Sequence, residues 1–159
     1  MSVLLYPHNF NAAHLHFGTA IQNNDANDSK FSRIMYSTKH ISFNGVGILV
    51  NLADTQQDNH YNKTFVRFDS DLPANKSAIS QLQDIECDIV RTYADSDMGM
   101  KGTRRCVHSL RDQLNGGCIK AYVNDRAGEN ASTPHIMLKI CGVWETNDEF
   151  GIIHKFIKC

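Results

Sequence analysis

The chain breaks its apolar residues into short runs, and only one stretch carries them at helical spacing. Over residues 76–93, Ala78, Leu82, Ile85, Ile89 and Tyr93 recur three or four positions apart. That spacing predicts one amphipathic helix, opened by Pro73 and Asn75, with a single stripe to lay on a sheet. Elsewhere the apolar runs are strand-length and alternate with Asn, Asp, Ser and Gly, residues that favour turns over regular backbone pairing. Strands are expected over 31–36, 39–43, 46–52, 64–68, 118–123, 135–144 and 151–157, separated by polar loops at 22–29, 58–62, 94–105, 124–134 and 145–149. Asn44-Gly45 predicts a compact turn that pairs the strands on either side of it. One helix among six or seven strands predicts a mainly β chain. Its simplest form is a small, partly open antiparallel barrel in a single domain over 1–159.

Composition narrows the function. With 42% hydrophobic residues in a chain of 159, there is enough apolar surface for one core and no case for disorder. The longest apolar run, residues 46–50, is far below the roughly 20 residues a bilayer span needs, so no membrane partner is expected. The first residues lack a basic start and a long apolar stretch, which predicts no secretory signal and an intracellular site of action. Five cysteines without a C-x-x-C pair predict reduced thiols and no zinc site. His14 and His16 would share a strand face, but no third ligand stands at a recognisable distance, so neither metal nor cofactor is expected. Nucleophile-elbow, P-loop, dinucleotide and zinc-protease motifs are all absent from the sequence. The two close carboxylate pairs, Asp69/Asp71 and Asp95/Asp97, read as turns flanking the helix. The expectation is therefore a protein that is not an enzyme. A net charge of −1 also excludes a polycation that coats duplex DNA by bulk field.

The C-terminal segment is the most specific. Its apolar strand leads into Gly142-Val143-Trp144-Glu145, an acidic turn, Gly151 and a strand closing on Lys155-Phe156. This order and spacing resembles the closing hairpin of the OB-fold single-stranded-DNA-binding proteins of large DNA viruses and some phages, similar to the replicative binding protein of short-tailed coliphages. The sharp match covers residues 136–157, and the rest agrees in layout. The resemblance implies an OB-fold-like barrel of five to seven strands that binds single-stranded DNA without sequence preference. It also implies work in viral replication or recombination, in a host nucleus or a cytoplasmic viral replication compartment, with replication proteins as partners; a homo-oligomer is a further expectation. The phage proteins carry an acidic tail that recruits partners; this sequence ends His154-Lys155-Phe156-Ile157-Lys158-Cys159, so tail-mediated recruitment is not expected.

Binding of this kind needs aromatic platforms and a few phosphate-facing cations. Four groupings supply them: Arg33, Tyr36 and Lys39; Tyr61, Lys63 and Arg67; Lys101, Arg104 and Arg105; and Lys120 with Tyr122. Tyr36, Tyr61 and Tyr122 have polar neighbours and are the expected stacking residues. Phe43, Phe65, Phe68 and Trp144 are expected to fill the core, Trp144 by sharing a strand face with Ile136, Leu138 and Ile140. The alternative reading is a viral structural or assembly protein that uses the same barrel for protein contacts through an exposed strand edge.

Overall fold

The computed structural model describes residues 3–22, 29–96, 104–123 and 135–159. Twelve strands occur in chain order: β1 (Val3–Leu5), β2 (Leu15–Phe17), β3 (Ile21–Gln22), β4 (Lys30–Ser37), β5 (Ser42–Asn44), β6 (Val46–Val50), β7 (Gln56–His60), β8 (Lys63–Arg67), β9 (Arg105–Cys106), β10 (Cys118–Val123), β11 (Ile136–Glu145) and β12 (Glu149–Lys158). Two helices, α1 (Pro73–Asp95) and α2 (Ser109–Asn115), and two 3-10 turns, Pro7–Asn9 and Ala12–His14, complete the described elements.

All twelve strands join one sheet, whose main path runs β1-β6-β11-β12-β10-β8-β7, with β4 pairing β11 beside β6. The mainly β content agrees with the sequence. The sheet does not close: among the described residues β1 and β7 end the path without meeting. The pairing is also mixed. β1 with β6, β10 with β12, and β9 with β12 run parallel. Two helices stand where one was expected.

The long hairpin of β11 and β12 is the spine, because each strand is ten residues long and offers alternate apolar side chains to one face. That face carries Ile136, Leu138, Ile140 and Val143 opposite Phe156 and Ile152, and it packs with α1 into a single buried cluster. Helix α1 supplies Ile79, Leu82, Ile85, Ile89, Val90 and Tyr93 to this cluster. Leu82, Ile85, Ile89 and Tyr93 belong to the predicted stripe, Ile79 takes the place expected of Ala78, and the helix runs a few residues further at each end. Fully burying each such side chain is worth about 1.5–3 kcal/mol. The start of α1 is tied to the neighbouring loop by Asn75, whose amide donates to the Ala53 and Asp69 carbonyls and accepts from the Ala53 N–H at 2.7 Å.

A bulge in β11 between Ile140 and Gly142 changes what lies beyond it. Alternation restarts one residue out of step, so Val143 and Glu145 take the helix-facing side and Trp144 turns to the opposite face. Trp144 is therefore not packed with Ile136, Leu138 and Ile140. The same break separates the two partners of this edge: residues 136–140 pair with β6, and residues 142–145 pair with β4. The Asn44-Gly45 turn serves this split. It does not pair its flanking strands with each other; β5 pairs with β4 and β6 pairs with β11.

Helix α2 escapes sequence reasoning because it spans only seven residues and buries just Leu110 and Leu114. Its first turn is fixed from outside. The fully buried Glu86 carboxylate of α1 accepts the N–H groups of Leu110 and Arg111 at 3.2 and 3.0 Å. Burial pushes the Glu86 pKa up, against these two bonds and the nearby His108 and Arg111 charges, which pull it down. No helix among the described residues is long and apolar enough to cross a membrane.

Candidate nucleic-acid interface

Both helices pack on the side that carries Phe156, Leu138 and Ala121, and among the described residues no helix covers the other side of the β11-β12-β10-β8 region. Register decides what it displays. Lys139 of β11 stands directly across from Lys155 of β12. The parallel β10-β12 ladder pairs Ala121 with Phe156, so the residues one step earlier, Lys120 and Lys155, stand side by side. Lys120 in turn faces Phe65 of β8. Three ammonium groups thus lie in one row across three adjacent strands, with an aromatic ring at its end.

The next rows continue the pattern. Met137, Ile157, Tyr122, Lys63 and His60 are successive partners on one flank. Arg67 pairs Cys118 on the other, and Arg33 of β4 pairs Gly142 further along β11. Among the described residues no carboxylate is in ion-pair contact with Arg33, Lys63, Arg67, Lys120, Lys139 or Lys155. The carboxylate in the lysine row itself, Asp58 opposite Phe65, is engaged by His60 at 3.3 Å. Like charges in register weaken a sheet, so this row costs stability unless an anion meets it.

Tyr122 reports the local field. Lys120 lies 5.2 Å from its ring centroid, and the phenol is held below its ordinary pKa, first by a hydrogen bond with Lys120 and then by the charges of Lys120, Lys63 and Lys155. Lys120 thus lies against this exposed ring, and Lys63 pairs with Tyr122 in the β10-β8 register. Phe65 contributes a second ring, edge-on to His60 at 5.5 Å. Tyr61, in the β7-β8 turn next to this row, is fully exposed.

The residues expected from the sequence divide clearly. Arg33, Lys63, Arg67, Lys120 and Tyr122 share the bare face, and Tyr61 borders it. Tyr36 does not belong there. It is 3% exposed on the opposite side of β4, beneath Phe10 and His14, and its hydroxyl accepts the Asn11 N–H at 3.1 Å. Lys39 lies off the ladders, in the exposed turn closed by the bond from the Thr38 N–H to the Ile41 carbonyl. Arg104 is committed elsewhere: it donates to Glu145 at 3.0 Å, and Tyr93 donates to the same carboxylate oxygen at 3.0 Å. Arg105 pairs with Glu149 at the far end of β12. Lys101 lies outside the described residues.

Glu145, the last residue of the Gly142-Val143-Trp144-Glu145 motif, is thus a buried acceptor that ties the end of α1 to β11, and not part of the cationic face. Lys139 and Lys155 escape notice as site residues in the sequence because each sits inside a strongly apolar strand. Their position is the signal: both alternate with the buried Leu138, Ile140 and Phe156, which puts them on the opposite face. Among the described residues no three His, Cys, Asp or Glu side chains group as a metal site, and all five cysteines are free and half-buried.

Comparison with protein families, with curated proteins and with solved structures finds no match for this chain.

Proposed function

We propose that the chain binds single-stranded DNA, without sequence preference, on the bare face of the β11-β12-β10-β8 region. The observation that carries the reading is the row of Lys139, Lys155 and Lys120, which has no ion pair among the described residues and is flanked by Tyr122 and Phe65. Phosphates neutralise the row and relieve its self-repulsion, while exposed rings accept bases of any kind, because every base has a π-face. The near-neutral total charge is no obstacle, since six of the 16 Lys and Arg residues share this one face, while the back of α1 carries Asp84, Asp88 and Asp95. An open sheet with cations and rings in adjacent rows suits a flexible single strand better than a stiff duplex. The resemblance of the β11-β12 hairpin to that of OB-fold single-stranded-DNA-binding proteins supports the same reading, and with it a role in viral replication or recombination.

The test is fluorescence anisotropy with a labelled thymidine oligomer and the same oligomer annealed to its complement, each at two salt concentrations. Binding of the single strand in preference to the duplex, weakening as salt rises, is the expected result. No binding of either at low salt rejects the reading. Equal binding of both rejects the role of stacking.

A further inference from the structure

Two glycines of the β11-β12 hairpin have no room for a side chain, and each has an aromatic ring against it: Phe31 with the Ser32 carbonyl at Gly142, and Trp144 with the Val107 carbonyl, the nearer of the two, at Gly151. A Cβ on Gly142 would lie 2.3 Å from the Phe31 ring, and one on Gly151 would lie 3.1 Å from Trp144 Nε1. Phe31 and Trp144 are direct cross-strand partners, and Ile21 of β3 continues the row beyond Phe31, 58% exposed. The bulge turns Trp144 to this side, away from the helices and onto the same face as the lysine row. Both rings are half-buried. Arg33, exposed and without an ion pair among the described residues, stands next to Phe31's seat at Gly142.

From these positions we infer a second base-stacking subsite, formed by Trp144 and Phe31 with Arg33 as its phosphate contact. It rests on the proposed single-strand binding and extends it. Trp144 is five residues from Lys139 along β11, roughly 15 Å of strand. One strand of nucleic acid that contacts both subsites runs along β11, with its phosphates on the lysine row at one end and on Arg33 at the other. The substrate class is then a single strand long enough to bridge that distance, and a very short oligomer reaches only one subsite. Joining the two raises affinity without any new contact at either.

Trp144 is the sole tryptophan of the chain, so its emission reports this subsite directly. The experiment titrates the full chain with a thymidine trimer and a thymidine dodecamer, lengths chosen around the roughly 4–16 nucleotides an OB-type site covers. Anisotropy of a labelled oligomer and Trp144 emission are read together. The expected result is quenching of Trp144 by the dodecamer and an affinity at least about tenfold above that for the trimer. Trp144→Leu, which keeps an apolar group over Gly151, should lower dodecamer affinity about tenfold. Binding of the dodecamer with unchanged Trp144 emission overturns the second subsite and leaves the lysine-row reading standing. Absence of any anisotropy change overturns both. The emission readout needs no substitution, so it decides the matter even if Trp144→Leu fails to fold.

Discussion

Replacing Lys139 and Lys155 together by glutamine should raise the stability of the protein while weakening its binding of single strands. The two side chains are direct cross-strand partners, and Lys155 also has Lys120 beside it. At a strand spacing of about 5 Å, two unit charges in water repel by about 0.8 kcal/mol. Salt at physiological strength screens this to about half. Removing two such contacts therefore adds about 0.5–1 kcal/mol, and glutamine keeps most of the stem that covers neighbouring apolar surface. Binding moves the other way. Each phosphate contact to a single strand contributes about 0.7 to the slope of log affinity against log salt, so losing two lowers the slope by about 1.4 and the affinity at 0.1 M salt about 25-fold. Urea denaturation reads the first effect as a higher midpoint, and anisotropy at several salt concentrations reads the second. A variant that is less stable and binds as before would show that these lysines are structural.

Four other outcomes follow from the packing. Arg104→Met leaves the Glu145 carboxylate with Tyr93 as its remaining side-chain donor and should cost about 1–3 kcal/mol in denaturation, with oligomer affinity unchanged. Glu86→Gln removes one of two acceptors from the first turn of α2; a loss of about 1–3 kcal/mol is expected, with faster hydrogen exchange at the Leu110 and Arg111 amides. Leu138→Ala, at the centre of the buried face, should cost about 2–5 kcal/mol. His154 is bonded to Gln113 at 3.1 Å, and burial holds its pKa below the ordinary value. The unfolded chain therefore binds its proton first, so this residue's contribution is intact above about pH 6.5 and is lost as pH falls below it, by up to about 1.4 kcal/mol per pH unit. The difference between wild type and His154→Gln across pH 7 to 5 isolates that contribution; parallel curves would refute it.

The sequence is informative wherever a side-chain period runs long enough to name a buried face. Helix α1 and the strands β8, β10, β11 and β12 are legible for that reason, and with them Lys63, Arg67, Lys120 and Tyr122. Strand β7 is not, because Gln56-Gln57-Asp58-Asn59-His60 has no buried residue and is held by pairing with β8 on one side only. Helix α2 depends on a carboxylate 24 residues upstream of its Leu110, which no local pattern shows. Strict alternation puts Trp144 on the wrong face because it fails at a bulge, and nothing in Cys141-Gly142 alone announces one. Tyr36 has polar neighbours in sequence, yet the N-terminal segment carrying Phe10 and His14 folds over it. Partnership across strands, which makes Lys139 and Lys155 a row, exists only once register is known.

Lysine footprinting tests the cationic face most directly. The chain is reductively methylated with and without a saturating thymidine oligomer, and each site is read by peptide mass spectrometry. Lys63, Lys120, Lys139 and Lys155 should be protected by the oligomer, while Lys76 on α1 and Lys39 in its turn should react at the same rate in both samples. Protection of Lys76 with free reaction of Lys120, Lys139 and Lys155 would move the binding surface to the helical side and contradict binding on the bare sheet.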